Sequence, residues 1–138
     1  MIPDDGAIDF VRQSKLSEMS YECRKAIERG FDINVHEENR HFSLTTQDQL
    51  NLMSLSAMAQ TSDKIPYHAD GESCIYYTAA EINTIIAAMN SHKIYHTTYY
   101  NALKAYINSL DTIEEITAIT YGIEIPDEYK SEVLKVIE

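Results

Sequence analysis

Residues 78–110, TAAEINTIIAAMNSHKIYHTTYYNALKAYINSL, decide the fold. Ile82, Ile85, Met89, His92, His96, Tyr99, Leu103, Tyr106 and Leu110 recur at three- and four-residue intervals without a slip, the period of one helix face. Thr78 and Glu81 precede the run at the spacing of a capping box, and no Gly or Pro follows before Gly122. The pattern predicts one long helix over 78–110 with a seam about 43 Å long. Ile86 and Ile107 widen the stripe. Only Glu81, Lys93 and Lys104 are charged in this stretch, far fewer than a half-exposed helix carries. The helix is therefore expected to be covered on several sides, in part by another copy or another protein.

Upstream, residues 7–29 place Leu16, Met19, Cys23 and Ile27 on one face ahead of Gly30, which predicts an amphipathic helix with a mixed-charge outer face. Residues 31–77 read as hairpins around a short helix. Phe31, Ile33 and Val35 alternate with polar residues, the alternation breaks at 37–39, and Phe42 and Leu44 resume it. Thr46 and Gln49 suggest a capping box ahead of Leu50, Met53, Leu55 and Met58, whose methionines are expected to fill core. Asp70-Gly71 marks a second turn between Tyr67 and the run Cys74 to Tyr77. Downstream, 111–138 should form short acidic helices: one from Asp111 to near Gly122, and one opened by Pro126 that carries Tyr129, Val133, Leu134 and Ile137. The expected fold is α+β, mainly α, in a single domain over 1–138 with one main core.

Composition narrows the function classes. The chain is 44% hydrophobic and 24% charged, and no apolar run approaches the roughly 20 residues needed to span a bilayer. The N-terminus, MIPDDGAIDF, carries acids where a secretory signal carries bases. Cys23 and Cys74, without metal or disulfide spacing, are expected to be small buried apolar residues. A net charge of −11 argues against direct nucleic-acid binding, which needs a basic stripe. The charge is uneven: residues 111–138 hold eight acids against two lysines, and Glu114, Glu115, Asp127 and Glu128 form a candidate acidic patch.

His92 and His96 lie four residues apart, as two zinc ligands on a helix would. The HExxH arrangement is absent, because Lys93 holds the position of the glutamate, and His36, His41, His68, Cys23 and Cys74 are distant candidates to complete a site. Histidines within a helix interface are the preferred reading, and burial would disfavour their charged form, so an assembly held there would loosen at about pH 5–6. Tyr95, Tyr99, Tyr100 and Tyr106 belong with them as contact residues, because tyrosine suits sites buried at one end and polar at the other. No nucleophile-base arrangement, phosphate loop or paired-acid site stands out, so neither an enzyme nor a cofactor is expected.

Gly30-Phe31 ending a helix, the block FSLTTQDQLNLM with Asp48-Gln49, the turn IPYHADGE with Asp70-Gly71, and YYTAAEINTII opening a long helix occur in an order that resembles a phage family. This is the domain of unknown function found in tail-fibre and tail-fibre-assembly proteins and in small stand-alone phage proteins. The likeness runs from about Ser20 to Leu110, and ITYGIEIPDEYKSEVLKVI is similar to versions in phages of Gram-positive hosts. Several relatives carry tryptophan near the DG turn, where this chain has Tyr67. The resemblance implies a non-enzymatic, tail-associated structural or assembly protein, in the host bacterial cytoplasm or the virion, with tail proteins or its own copies as partners. It also implies that Asp48, Gln49, Asp70 and Gly71 define the fold. The alternative is a small acidic phage inhibitor of a host defence or nucleic-acid enzyme.

Overall fold

The computed structural model describes residues 5–138; Met1 to Asp4, which begin the acidic N-terminal stretch, lie outside the described residues. The elements in order are α1 (Asp5–Arg29), β1 (Phe31–Val35), β2 (Glu38–Phe42), α2 (Thr46–Met58), β3 (Ile65–Tyr67), β4 (Ile75–Tyr77), α3 (Ala79–Ser109), α4 (Ile113–Thr117), a 3-10 turn (Asp127–Tyr129) and α5 (Glu132–Ile137). The fold class is α+β and mainly α, as the sequence predicts: among the described residues, two antiparallel two-stranded hairpins stand with five helices.

Two compact units divide the chain. A central unit comprises residues 26–94, and a terminal unit combines residues up to 25 with 95–138. Helices α1 and α3 each contribute residues to both. In place of one main core, the described residues form two clusters of buried side chains. The central cluster gathers Val35, Phe42, Leu44, Leu52, Ile65, Ala69, Tyr77, Ile82, Ile85 and Met89. The terminal cluster gathers Met19, Tyr99, Ala102, Leu103, Ile107, Leu110, Ile116, Ile119, Ile125 and Leu134. Fully burying a Leu, Ile or Phe side chain is worth about 1.5–3 kcal/mol, so each cluster is a real source of stability.

In the central unit β1 and β2 pair in register from Phe31↔Phe42 to Val35↔Glu38. The two-residue connection is His36-Glu37, at φ of 55° and 72°. These are the left-handed values of a tight hairpin turn, adopted here without glycine and beginning one residue earlier than the break at 37–39 suggested. Arg40, 7% exposed, supports the turn from below: Nε donates to the Val35 carbonyl (3.1 Å), Nη2 to the His36 carbonyl (3.3 Å), and Nη1 pairs with Glu72.

The N-cap of helix α2 lies one residue earlier than the expected Thr46. Thr45 is the N-cap: the Asp48 N–H donates to its hydroxyl (3.1 Å), and the Thr45 N–H donates to the Asp48 carboxylate (3.0 Å). Its inner face also differs from expectation. Leu52 is buried and Leu55 half-buried, whereas Leu50, Met53 and Met58 are 54%, 55% and 41% exposed. The box at Thr78 and Glu81 forms as predicted, with Thr78 N–H to Glu81 Oε1 at 2.8 Å and Glu81 N–H to Thr78 Oγ1 at 3.1 Å.

In the terminal unit α4 stops at Thr117, well before Gly122. Pro126 opens only the 3-10 turn, and α5 starts separately behind a Ser131 cap. Leu134 is buried there, while Val133, Val136 and Ile137 are exposed. No helix among the described residues is long and apolar enough to cross a membrane.

Candidate functional site

The last four carbonyls of an α-helix have no partner within the helix. At the end of α1 the central unit satisfies all four. The His92 Nε2–H donates to Ala26 (3.0 Å), the Gly30 N–H to Ile27 (3.0 Å), the Leu44 N–H to Glu28 (2.9 Å) and the His41 Nε2–H to Arg29 (2.6 Å). Gly30 is required at this corner. Its φ is +79°, and a Cβ would stand 1.8 Å from the Phe42 carbonyl oxygen. The other nitrogen of His41 bonds Asp32 at 2.7 Å. The Asp32 bond raises the His41 pKa above its ordinary value against the opposing effect of burial, helped by the Arg29 carbonyl and the charges of Asp32 and Asp70.

Asp70 ties the second turn to the end of β2. Its carboxylate accepts from the Ser43 N–H (3.1 Å) and the Ser43 hydroxyl, and its own N–H donates to the His41 carbonyl (2.9 Å). Burial pushes the Asp70 pKa up, but the Ser43 bonds and nearby His41 and His68 more than offset it, leaving the carboxyl below its ordinary range. Gly71 follows at φ +72°. Asp48 caps α2, and the Gln49 side chain donates to the Leu44 carbonyl (3.0 Å). The four motif residues thus all act at corners of the central unit.

Each of the six helix positions expected to make contact is engaged inside its own unit. Phe31 packs beside His92 with ring centroids 6.1 Å apart. His96 Nδ1 lies 2.9 Å from the Tyr121 hydroxyl, and Tyr95 stacks on Tyr99 at 6.2 Å. Tyr99, 6% exposed, donates to the Ile123 carbonyl (2.5 Å) and accepts from the Gly122 N–H (3.0 Å), which fixes the turn after α4; burial pushes its pKa up. Tyr100 donates to the Leu16 carbonyl (3.3 Å), and Tyr106 meets Tyr129 at 5.3 Å. His92 and His96 therefore reach different partners, and no group of three or more metal-ligating side chains converges among the described residues.

Cys23 is buried, as expected, and burial raises its pKa. Cys74 is exposed instead, because it sits in the loop of the second hairpin beside a hollow of about 300 Å³ lined also by Ser54, Leu55, Tyr67 and His68. The acidic patch is exposed. Glu114 and Glu115 occupy the first turn of α4 and Asp127 and Glu128 the 3-10 turn, where carboxylates suit the positive end of the backbone dipoles.

Two surfaces escaped the sequence reading. One is the outer stripe of α2, Leu50 and Met53 with Met58 beside it. The other is an open groove of about 500 Å³ in the terminal unit, lined by Gln13, Leu16, Ser17, Ser20, Tyr21 and Arg24 of α1 and by Tyr100 and Lys104 of α3. The 3.6-residue spacing of Gln13, Ser17, Ser20 and Arg24 was a signal for that face, obscured because none of them is apolar.

A family model described as a domain of unknown function, DUF4376, matches residues 10–121. The chain belongs to this family. The DUF4376 match takes in Asp48-Gln49, Asp70-Gly71, the groove and all of α3, and ends before the 3-10 turn and α5. No curated protein and no solved structure matches the chain.

Proposed function

We propose that this DUF4376 chain is a non-enzymatic, phage tail-associated structural or assembly module that works through protein contacts. The order of its sequence motifs supports the tail association. The observation that carries the protein-contact reading is the outward stripe of α2. A helix with ample polar sequence directs Leu50 and Met53 to solvent at 54% and 55% exposure while Leu52 fills the core. Flexible methionine beside leucine is a composition suited to adaptable protein contact.

The test is to express the tagged chain during phage infection and fractionate virions, tails and free protein. The chain should co-sediment with tails or tail-assembly intermediates, and Leu50→Asp with Met53→Asp should release it while its circular dichroism is unchanged. Recovery only as free protein would overturn the reading. The exposed acids Glu114, Glu115, Asp127 and Glu128 favour a second reading, a charge decoy for a basic host enzyme. Capture of such an enzyme, abolished by neutralising those four residues, would replace the first.

A further inference from the structure

The terminal unit is divided in charge. Residues 5–25 and 95–110 hold five bases against four acids, whereas residues 111–138 hold eight acids against two bases. Of the five bases, Arg12 and Lys15 are directed inward. Arg12 donates to the Ile107 and Leu110 carbonyls at 2.7 and 3.0 Å, and Lys15 to the Ile119 carbonyl at 2.8 Å.

Arg24 and Lys104 line the groove instead. Arg24 lies over the Tyr21 ring (5.3 Å to its centroid) and Lys104 over Tyr100 (5.7 Å). Neither has a carboxylate within ion-pair distance among the described residues, in a chain with 22 acids and 11 bases. A ring under a cation leaves its N–H donors open to an anion. Ser17, Ser20 and Gln13 add uncharged donors along the same wall.

We infer that this groove docks the acidic segment 111–138 of a second copy of the chain, in a head-to-tail contact. This inference rests on the protein-contact reading and specifies a partner for a different face of the molecule. Charge complementarity selects the occupant, because the segment concentrates a net charge of −6 and presents Glu114, Glu115, Asp127 and Glu128 to solvent. The groove is open and elongated along two helices, which suits a segment of chain better than a single small anion. The two surfaces are different patches, so the contact is heterologous and closes into a ring or extends into a filament. Whole-chain repulsion between two copies of charge −11 opposes it, but at physiological salt the Debye length is about 8 Å, so repulsion between distant charges is screened while the contact pairs persist.

The experiment is light scattering after size exclusion on the full chain, across a concentration series at physiological salt. Three proteins are compared: the wild type, the groove variant Arg24→Glu with Lys104→Glu, and the segment variant Glu114→Lys, Glu115→Lys, Asp127→Lys and Glu128→Lys. All six positions are exposed, and circular dichroism checks that each variant folds. The mass of the wild type should rise with concentration. Either variant alone should associate at least about tenfold more weakly, and the two variants mixed should recover association as a one-to-one complex. A wild type that stays monomeric, or variants that assemble like it, overturns the inference. Titration calorimetry with inorganic phosphate as the probe separates the other source of an anion: phosphate binding lost in the groove variant, without self-association, also overturns it. A chain that stays monomeric yet co-sediments with tails removes this inference and leaves the tail reading standing.

Discussion

The two units close the C-terminal end of a long helix with different chemistry. In the central unit α1 ends on His92, Gly30, the Leu44 amide and His41. In the terminal unit α3 ends on Arg12, which holds the Ile107 and Leu110 carbonyls, while Lys15 holds the Ile119 carbonyl after α4. A cation at a helix C-terminus is favoured by the backbone dipoles. The difference is that guanidinium and ammonium stay charged across the physiological range, whereas imidazole does not. One unit is locked by permanent charge, and the other carries a titratable clasp and a corner that only glycine fits.

The largest effect expected is from Gly30→Ala. Its Cβ would meet the Phe42 carbonyl carbon and oxygen at 2.7 and 1.8 Å, both backbone atoms that no rotamer change can move aside. Chemical denaturation should show a loss of about 4 kcal/mol or more. Hydrogen exchange should lose protection first in residues 31–44; equal loss across α4 would show that the two cores open together. Next come Leu52→Ala and Leu103→Ala, each removing a fully buried side chain from a different cluster. Each should cost roughly 2–5 kcal/mol by urea unfolding. The double variant should be additive to within about 0.5 kcal/mol, and a larger coupling would break the two-core description.

Arg12→Met, which keeps much of the stem and loses both carbonyl bonds, should cost about 1–2 kcal/mol. That loss should be flat with pH. The smallest effect distinguishes the clasp. Both partners of His41 are acceptors, the Asp32 carboxylate and the Arg29 carbonyl, so both ring nitrogens donate only when the ring is protonated. The folded pKa is raised, so this contribution is complete below the ordinary histidine value of about 6.5 and is lost as pH rises through the folded value. Urea midpoints of the wild type should therefore decline across that window relative to His41→Asn. Parallel curves would remove the titratable clasp from the comparison.

Much of the fold was legible. The unbroken three-four alternation of α3 and the box at Thr78 and Glu81 located the long helix, and the alternation around Phe31 and Phe42 located the first hairpin. Helix α2 was misread for a definable reason. Leu50 and Met53 form one stripe and Leu52, Leu55 and Ala59 another, and periodicity cannot say which of two overlapping stripes meets a core. Arg40 was missed although it shares the inward side of β2 with Phe42, because a charged residue in ENRHF reads as solvent-facing until a carboxylate such as Glu72 is placed beside it.

The sequence alone settled what depends on near neighbours: helix periods, the glycine at the end of α1, the Asp-Gly turn, and the concentration of acid in the last fifth of the chain. Tertiary structure alone decided which histidine meets which carbonyl, which face of α2 looks outward, and that Arg24 and Lys104 share a groove. Arg24 and Lys104 are separated by 80 positions, and His41 reaches Arg29 only across a hairpin. Local propensity and spacing do not encode such meetings; they are fixed when buried side chains choose their partners and every helix end must find hydrogen bonds.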